Sequence, residues 1–335
     1  MQPASPLGRT GMELTRIGLG TWAQGGGGLL YSWGPQDDSQ SEAAIRRAVE
    51  SGINWIDTAP AYGRGHAEEI VGRVVASMPA SDRPYVFTKA GRLWDPADPM
   101  APLWTDVSAA SVRKEVEDSL RRLRTERIDL LQIHWPPTDG TPVEEYWGAV
   151  LRLRDEGKIR AAGLSNHSAE ALAEAEKTGH VDSLQPPFSL IRREAAAAEI
   201  PWCAGHGAGV IVYSPLQAGL LSGSMTAERV AAMPEDDWRR RNPEFTGAPF
   251  LKNLSLAERL RPVAERHGVS LAAVAVAWVL AWPGVTGAIV GARRPDQVDG
   301  WEAAAGLELT DADLDEIAAA ARETGAGAGP VRPGQ

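Results

Sequence analysis

Four side chains that can donate a proton or stabilise a charge follow short apolar runs in the first half of the sequence. Asp57 follows the run INWI, and Tyr62 stands five residues later. Lys89 follows YVFT, and His134 follows LLQI. A nearby ammonium group lowers the pKa of a phenol from its ordinary value of about 10 and makes it a better proton donor. If folding brings these four side chains together, they form a proton-transfer site.

The elements that would position these residues repeat as an amphipathic helix, a glycine and a short apolar strand. Glycine permits the left-handed backbone that commonly ends a helix. Helical stretches that end in this way are predicted at 41–51, 143–156, 168–178, 192–206 and before Gly284. Eight strands are predicted, at about 16–21, 54–58, 85–89, 128–134, 159–164, 182–185, 209–213 and 286–290. Apolar strands that alternate with helices predict a parallel α/β sheet, and eight of them predict a single (β/α)8 TIM barrel.

In such a barrel, the residues just beyond the carboxyl end of each strand share one rim. These positions hold the acid, phenol, ammonium and imidazole groups together with amides and hydroxyls. The residues predicted at the rim are Trp22, Asp57 with Tyr62, Lys89, His134, Ser165, Asn166, Gln185, Tyr213, Ser214 and 291–294. Charges at several strand ends are costly to desolvate unless they are paired, which favours a functional site over a purely structural one.

The remaining segments complete this prediction. Residues 7–14 are expected to form a short hairpin that closes the barrel floor, and 215–253 a long loop after the seventh strand. The barrel domain is predicted at about 15–322, with a flexible tail at 323–335. A doubly wound dinucleotide fold competes because GLGTWA matches the G-x-G-x-x-A spacing, but the four glycines that follow are a poor helix start. We therefore prefer the barrel.

Composition limits the classes of partner and compartment. The formal net charge is −10 with both signs interspersed, which argues against binding to nucleic acid or to an anionic membrane. The single cysteine, Cys203, fits a buried apolar position and a reducing cytoplasm. No secretory signal is recognised, and Pro283-Gly284 divides the apolar run 271–291 into a buried helix and a strand. The six histidines form no close pair, so no metal is expected.

The sequence resembles the aldo-keto reductase superfamily over nearly its whole length. The matching stretches, in order, are GLGTW, NWIDTAPAYG, FTKAG, DLLQIHWP, GKIRAAGLSNHS, YSPLQAGLLSG and IVGARRPDQ. The resemblance implies reduction of a carbonyl group with NADPH, or alternatively NADH. It also implies that Asp57, Tyr62, Lys89 and His134 are catalytic. Reduction fits these residue types because negative charge grows on the carbonyl oxygen, where a proton donor must meet it.

The resemblance also assigns the cofactor contacts. Ser165, Asn166 and Gln185 would hold the nicotinamide amide, and Tyr213 would stack on its ring. Gly219 and Gly223 would approach the pyrophosphate, and Arg293, together with Arg294, would bind the 2′-phosphate that distinguishes NADPH from NADH. An exposed helix-entry pair is the alternative for these two arginines. The further residues expected to contact the cofactor are Gly20, Thr21, Trp22, Asp57, Ser214, Pro215, Leu216, Leu220, Gly291 and Gln297. The substrate pocket would be formed by Trp22, Tyr62, Trp94, His134 and Trp135.

Several positions depart from the family pattern. Ser224 replaces a common lysine, Trp301 a common asparagine, and Phe188-Ser189 a common Tyr-Asn pair. Residues 235–245 could cover the cofactor or substrate, or form a solvated basic loop. Two alternative functions stay open, namely a cofactor-sensing regulatory subunit and an NAD(P)-dependent sugar or polyol dehydrogenase. The sequence leaves the substrate, the direction of reaction and the oligomeric state open.

Overall fold

The computed structural model describes residues 2–334 and has a closed barrel of parallel strands at its centre. The strands in chain order are β1 Ala4–Pro6, β2 Glu13–Thr15, β3 Ile17–Gly20, β4 Trp55–Asp57, β5 Tyr85–Ala90, β6 Arg92–Leu93, β7 Trp104–Thr105, β8 Ile128–Ile133, β9 Ile159–Ser165, β10 Ser183–Gln185, β11 Gly209–Tyr213 and β12 Gly287–Gly291. Around the barrel the order is β3, β4, β5, β8, β9, β10, β11 and β12, which pairs again with β3. The eight predicted barrel strands are thus confirmed.

Helices alternate with these strands. They are α1 Asp38–Glu50, α2 His66–Ala76, α3 Ala109–Leu123, α4 Val143–Asp155, α5 Ala169–Thr178, α6 Glu199–His206, α7 Ala227–Ala231, α8 Gly247–Arg259, α9 Arg261–His267, α10 Leu271–Leu280, α11 Pro295–Asp299 and α12 Asp311–Thr324. Short 3-10 turns lie at Trp22–Gln24, Tyr62–Gly65, Ala80–Asp82, Glu194–Ala196, Gln217–Ser222, Trp238–Arg241, Pro243–Phe245 and Glu302–Gly306. The region after β11 is therefore a series of short helical pieces rather than one extended loop.

The alternation of inward-facing side chains along the strands determines how far the functional residues lie from the floor of the barrel. Trp55 on β4 and Phe87 on β5 belong to the cluster that fills the barrel interior. Side chains on one face of a strand recur every second residue, so the next inward positions on these strands are Asp57 and Lys89. The apolar filling thus stops one layer below the rim, and the charged pair begins there.

The amino-terminal hairpin closes the floor of the barrel, with different limits from those predicted. Its strands β1 and β2 flank residues 7–12, which form the connecting loop. Leu7 and Met12 from this loop are fully buried in the interior cluster. Gly8 has a φ of +50°, and a Cβ there would lie 2.8 Å from the backbone of Gly207 and of Gly209. This loop therefore packs directly against the floor.

One further expectation is corrected, and the predicted tail has contacts with the rest of the chain. The helix predicted at 192–206 is shortened to α6, because Pro201 is tolerated in the first turn of a helix but would clash with a preceding turn. The first part of the tail is also attached to the barrel. Ala328 forms a β-bridge with Arg192, and Ala326 is buried where its carbonyl accepts a hydrogen bond from Arg193. The first part of the tail predicted at 323–335 thus contacts the segment after β10, and its flexibility stays a prediction.

The apolar run 271–291 divides as predicted into a helix, α10, and a strand, β12. Every residue of α10 is buried against the barrel. Within residues 2–334, no single helix is long and apolar enough to cross a membrane. The pair Gly247–His267 and Leu271–Leu280 passes that test by length and composition when taken together, but it bends by 92°.

Candidate active site

The centre of the rim is an ion pair between Lys89 and Asp57. Lys89 Nζ lies 2.6 Å from Asp57 Oδ1 and also donates to the Thr58 carbonyl at 3.0 Å. The same ammonium lies 3.2 Å from the hydroxyl of Tyr62. Gln185 donates to the other oxygen of Asp57 at 2.9 Å. The lysine side chain is 1% exposed and the aspartate side chain 3%, so the pair is shielded from water. Tyr62 is the member of this group that faces the mouth of the barrel.

The turn between β4 and α2 returns Tyr62 to this pair. Tyr62 begins the 3-10 turn at Tyr62–Gly65, in which Gly63 and Arg64 both have φ values near +60°. A Cβ on Gly63 would lie 2.1 Å from the Gly25 carbonyl oxygen, so glycine is required where this turn contacts the loop after β3. The guanidinium of Arg64 donates to the carbonyls of Asp95 and Asp98. The turn is thus held from two sides.

The electrostatic effect on Tyr62 differs from the expected one. Withdrawal from bulk water raises the pKa of Tyr62 well above its ordinary value, and the Asp57 carboxylate raises that pKa further. The lowering expected from Lys89 is therefore outweighed in the chain without cofactor, because withdrawal from water and the Asp57 carboxylate both favour the neutral phenol. Tyr62 is a protonated phenol at neutral pH, which is the form needed in a proton donor.

His134 lies beside Tyr62 at the end of β8. Its ring meets the Tyr62 ring edge-on, with centroids 5.8 Å apart and planes at 81°. Withdrawal from water, and then the positive charges of Lys89 and Arg92, hold the pKa of His134 well below its ordinary value. The imidazole is thus neutral at neutral pH and can donate one ring N–H to an oxygen atom.

A second network of polar side chains lies across the barrel. Tyr213 donates to the Asn166 side-chain oxygen at 2.8 Å, and the Asn166 amide donates to the His134 carbonyl at 2.9 Å and to Ser165 Oγ at 3.0 Å. Ser165 donates to the Gln185 carbonyl at 2.9 Å. Asn166 has a φ of +63°, a strained conformation for a residue other than glycine. Residues expected to hold the nicotinamide amide are therefore connected to each other and, through Gln185, to Asp57.

A groove of about 440 Å³ extends from this centre across the ends of β11, β12 and β3. Most of the residues predicted to contact the cofactor line it. They are Gly20, Thr21, Trp22, Asp57, Tyr213, Ser214, Pro215, Leu216, Gly219, Gly291, Arg293, Arg294 and Gln297. Its volume lies within the range typical of small-molecule and cofactor sites. Positive φ values at Ala218 and Gly219 turn the backbone after β11 along the groove.

Five of the residues predicted to contact the cofactor do not line the groove. Ser165, Asn166 and Gln185 belong to the polar network described above, and the other two, Leu220 and Gly223, lie away from the groove surface. Leu220 is fully buried in the main apolar cluster. Gly223 packs against α10, where a Cβ would lie 3.1 Å from the Leu271 side chain. Both residues shape the turn after β11 instead of lining the groove. Their position in the LLSG stretch of the sequence places them close to the groove but does not make them part of its lining.

The two arginines after β12 have different environments. The Arg293 guanidinium donates to Gln36 Oε1 at 2.7 Å, to the Trp33 carbonyl at 3.0 Å and to the Pro35 carbonyl. It therefore ties the loop before α1 to the end of the barrel and has its donors engaged, contrary to the expectation that it leads in binding a 2′-phosphate. Arg294 forms a 3.0 Å ion pair with Asp296, in which both side chains are more than half exposed. Such an exposed pair is easily exchanged for another anion.

The lid segment, defined here as residues 235–245, folds over the loop after β3. Asp236 accepts hydrogen bonds from the backbone N–H of Gly28 at 2.7 Å and from Ser32 at 3.1 Å. Trp238 stacks on Trp22 with centroids 5.2 Å apart, next to Tyr62. The interpretation as a solvated basic loop is therefore wrong. This segment covers the groove on the side of Trp22.

Sequence reasoning missed two members of this cover. The Arg239 guanidinium lies 4.6 Å from the Trp33 ring centroid and is paired with the buried Asp237 at 2.6 Å. Both Trp33 and Arg239 line the groove. Arg239 is the first of three consecutive arginines, and the sequence does not show which of the three is paired. In the structure, Arg239 is neutralised by the buried aspartate two residues earlier.

The aromatic residues predicted for the substrate pocket are distributed unevenly. Trp22 lines the groove, whereas Trp94 and Trp135 do not. Trp135 is 43% exposed directly after His134, and Trp104 on β7 is 47% exposed. Trp94 follows β6 in the loop that leads to β7. The side of the rim opposite the groove is therefore open and carries exposed indole rings.

Of the positions that depart from the family pattern, some pack in the protein core and others line the groove. Phe188 is buried and stacks on Trp278, and Ser189 donates to Gln217. Ser224 lines the groove and accepts a hydrogen bond from Arg229 at 2.7 Å. Trp301 also lines the groove but is 3% exposed. Among residues 2–334, no group of three or more His, Cys, Asp or Glu side chains is arranged to hold a metal ion.

A buried carboxyl group supports the turn after β5. Glu115 on α3 accepts from the Gly91 N–H with both oxygens, at 3.0 and 3.1 Å, and is 7% exposed. Burial raises its pKa from 4.5 to about 7. Because the folded-state pKa is raised, the protonated form favours folding, and this contribution is lost as the pH rises through about 7.

We therefore expect Glu115→Gln to become more stable than the wild type as the pH is raised. The two proteins should have similar unfolding free energies near pH 5. At pH 8 the variant should gain on the order of 3 kcal/mol relative to the wild type, since one pKa unit corresponds to about 1.4 kcal/mol. Denaturant unfolding at several pH values measures the difference. A constant difference between pH 5 and 8 would contradict the raised pKa of Glu115.

Comparison with known proteins identifies the family. A model described as the aldo/keto reductase family matches residues 16–322. The chain is 38% identical over 309 residues to aldo-keto reductase YhdN of Bacillus subtilis (strain 168), covering 92% of this chain and 90% of that protein. It is 35% identical over 319 residues to an NADH-specific methylglyoxal reductase of Escherichia coli (strain K12), covering 92% and 95%.

A solved structure has the same fold over its full length. The glycerol dehydrogenase of Gluconobacter oxydans superposes with a TM-score of 0.87 at 39% identity, covering 99% of this chain and 98% of that one. The closed barrel, the sequence matches and this superposition agree. The chain belongs to the aldo/keto reductase family and is an NAD(P)H-dependent oxidoreductase.

Proposed function

We propose that this enzyme reduces an aldehyde or ketone to the alcohol with NADPH, and that Tyr62 donates the proton. The observation that carries this proposal is the position of Lys89 Nζ, 2.6 Å from Asp57 Oδ1 and 3.2 Å from the Tyr62 hydroxyl. When the Tyr62 O–H gives its proton to the substrate oxygen, the phenolate that remains lies beside an ammonium group. This arrangement stabilises the charge that develops during transfer.

The chemistry requires one hydride and one proton for each carbonyl reduced. The reduced nicotinamide would supply the hydride to the carbonyl carbon, and the C=O π electrons move to oxygen. Tyr62 supplies the proton to that oxygen and is reprotonated from solvent. Neutral His134 donates a ring N–H to the same oxygen and orients the carbonyl. Asp57 keeps Lys89 charged and in place.

The groove supports binding of the cofactor along the ends of β11, β12 and β3. Ser165, Asn166 and Gln185 offer the hydroxyl and amide groups that a nicotinamide amide needs, and Tyr213 offers a ring to stack on. Ser222 and Arg229 line the groove beside the turn after β11 and suit a pyrophosphate. Arg294 suits the 2′-phosphate of NADPH, because its ion pair with Asp296 is exposed. A single buried cysteine fits our proposal that the enzyme works in the cytoplasm.

We predict that Arg294→Gln weakens NADPH binding about tenfold more than NADH binding. The reason is the loss of a charge-assisted contact to the 2′-phosphate, which NADH lacks. Arg293→Gln serves as the matched control, and it should weaken both cofactors by similar factors because it frees the loop at 33–36. Quenching of tryptophan fluorescence measures both dissociation constants. Selective loss of NADPH in Arg293→Gln alone would reverse the assignment.

The direct test of function uses purified protein and a panel of aldehydes and ketones, with NADPH and NADH, followed by nicotinamide absorbance. The names of the similar proteins direct the panel towards methylglyoxal and, in the reverse direction, glycerol and other polyols. Faster oxidation of polyols at matched cofactor ratios would favour the dehydrogenase. Tight cofactor retention with negligible turnover would favour the regulatory subunit and contradict the proposed reductase.

A further inference from the structure

Arg92 lies at the rim on the side of the barrel opposite the cofactor groove. It begins β6, three residues after Lys89, and pairs with Thr105 of β7. The backbone N–H of His134 donates to the Ala90 carbonyl at 2.9 Å. The ends of β5 and β8 are therefore hydrogen-bonded to each other, and Arg92 starts two residues beyond that bond. Arg92 and His134 consequently lie on the same sector of the rim.

The turn that carries Arg92 is fixed in place. Gly91 has a φ of +90°, and a Cβ there would lie 3.0 Å from the Val107 side chain. Both carboxylate oxygens of Glu115 are engaged by the Gly91 N–H. The backbone that carries Arg92 is therefore held in place, as the support of a binding group must be.

The guanidinium of Arg92 has one side-chain partner and remains partly accessible from outside. Its side chain is half-buried, and burial lowers its pKa from the ordinary value. Among residues 2–334 it makes one side-chain hydrogen bond, from Nη1 to Thr105 Oγ1 at 3.0 Å, and it forms no ion pair. A guanidinium withdrawn from water is costly unless it is paired. Its remaining donors are therefore available to a ligand.

Three other arginines that are shielded from water have several internal partners. Arg239 is paired with the buried Asp237 at 2.6 Å, and Arg293 donates to three acceptors of the loop at 33–36. Arg193 donates to the carbonyls of Leu190, Ala326 and Gly329. Arg92 has fewer partners than these three and lies on the sector of the rim that carries His134.

We propose that Arg92 binds an anionic group, a carboxylate or a phosphate, on the carbonyl substrate. The substrate class is then an aldehyde or ketone that carries a negative charge a few bonds from its carbonyl group. The planar guanidinium can form two parallel hydrogen bonds with either anion. Because the whole chain has a net charge of −10, an anionic substrate needs such a local cation to be retained.

This inference rests on the proposed carbonyl reduction. It adds that the reduction is selective for charge, and it assigns the selectivity to a residue outside the groups that handle the hydride and the proton. The anion would lie between the β6–β7 hairpin and His134, while the carbonyl oxygen meets Tyr62. The exposed Trp104 and Trp135 border this open side of the rim.

The test compares substrates that differ in charge but share a reacting group. The carboxylate arm is 4-carboxybenzaldehyde against its neutral methyl ester, and the phosphate arm is glyceraldehyde 3-phosphate against glyceraldehyde. We expect the wild type to favour the anion by roughly 10- to 100-fold in kcat/KM in at least one arm, the scale of a charge-assisted bidentate contact. The favoured arm identifies the anion.

Two variants and one control locate this preference. Arg92→Gln should abolish it, mainly by raising KM for the anionic substrate, so that kcat/KM falls by a larger factor for the anion than for its neutral partner. Arg92→Lys should restore part of the preference, because it keeps the charge but loses the fork of donors. Arg83→Gln is the matched control, since Arg83 is exposed, donates only to backbone carbonyls and precedes β5 at the opposite end of the barrel.

A binding measurement separates this inference from the proposed reaction. Benzoate, phenyl phosphate and neutral benzamide are titrated into the wild type and Arg92→Gln, with tryptophan fluorescence as the readout. Tighter binding of an anion that disappears in the variant supports the anion site even if no aldehyde is reduced, in which case the proposed function alone fails. Equal binding of anions and benzamide by the wild type, or equal loss for charged and neutral compounds in the variant, would overturn the role of Arg92.

Discussion

Replacing Tyr62 with phenylalanine is expected to lower turnover by roughly 10²- to 10⁴-fold, the usual scale for a positioned general acid. The variant loses only the hydroxyl, which in this structure bonds to Lys89 at 3.2 Å. The ring keeps its contacts with Trp22 and with His134, at centroid distances of 6.3 and 5.8 Å. Cofactor binding should therefore remain close to that of the wild type. Single-turnover reduction and a fluorescence titration with NADPH measure the two effects separately.

The control for this variant is Tyr85→Phe. Tyr85 begins β5, the strand that ends near Lys89, and its ring packs against Arg160 at the other end of the barrel. Loss of this hydroxyl should leave turnover unchanged. If Tyr62→Phe retains wild-type turnover, Tyr62 is not the proton donor. If it loses cofactor binding in proportion to turnover, the hydroxyl acts in positioning the cofactor.

The barrel is predictable from the sequence because its signals are local and repeated. Most of the barrel strands are short apolar runs that follow a helix. The inward alternation that leads from Trp55 to Asp57 and from Phe87 to Lys89 follows from strand geometry. Parallel topology then brings strand ends together whatever their distance along the chain. The order of residues alone therefore suffices to place the ion pair, Tyr62 and His134 on one rim.

The surroundings of the site could not be predicted because they depend on contacts between distant loops. Arg293 looked available for a phosphate, but its acceptors lie in the loop at 33–36, which has no signal in its sequence that it meets β12. Trp238 likewise stacks on Trp22, more than 200 residues earlier. The type of a side chain determines which hydrogen bonds and ring contacts it can form. Only the fold decides which partners are already occupied.

The electrostatics of Tyr62 required the same three-dimensional information. A lysine near a tyrosine lowers the phenol's pKa when the lysine is unpaired, and the sequence supports that inference. In the structure Tyr62 is withdrawn from water and lies near the Asp57 carboxylate, and these two effects, in that order, raise its pKa. Burial of the phenol, which the order of residues does not reveal, thus reverses the expected direction of the shift.

The buried ion pair leads to the largest expected effect on stability. Lys89→Met should lower the free energy of unfolding by about 3–5 kcal/mol, because it leaves the Asp57 carboxylate buried with Gln185 as its remaining side-chain partner. Turnover should also fall sharply, since a phenolate at Tyr62 loses its neighbouring cation. Urea unfolding, monitored by tryptophan fluorescence, measures the stability change.

The double variant Asp57→Asn/Lys89→Met separates the charge from the packing. With both charges absent, it should be more stable than Lys89→Met alone by on the order of 2 kcal/mol, because contacting residues do not contribute additively. Lys114→Met removes a lysine whose side chain is 78% exposed and 2.7 Å from Asp118, and it should change stability by less than about 1 kcal/mol. If Lys89→Met costs no more than Lys114→Met, or if Asp57→Asn gives no recovery, the pair is not strongly coupled. Lys89 would then act on Tyr62 through its position alone, and the stability of the rim would depend on the apolar layer beneath it.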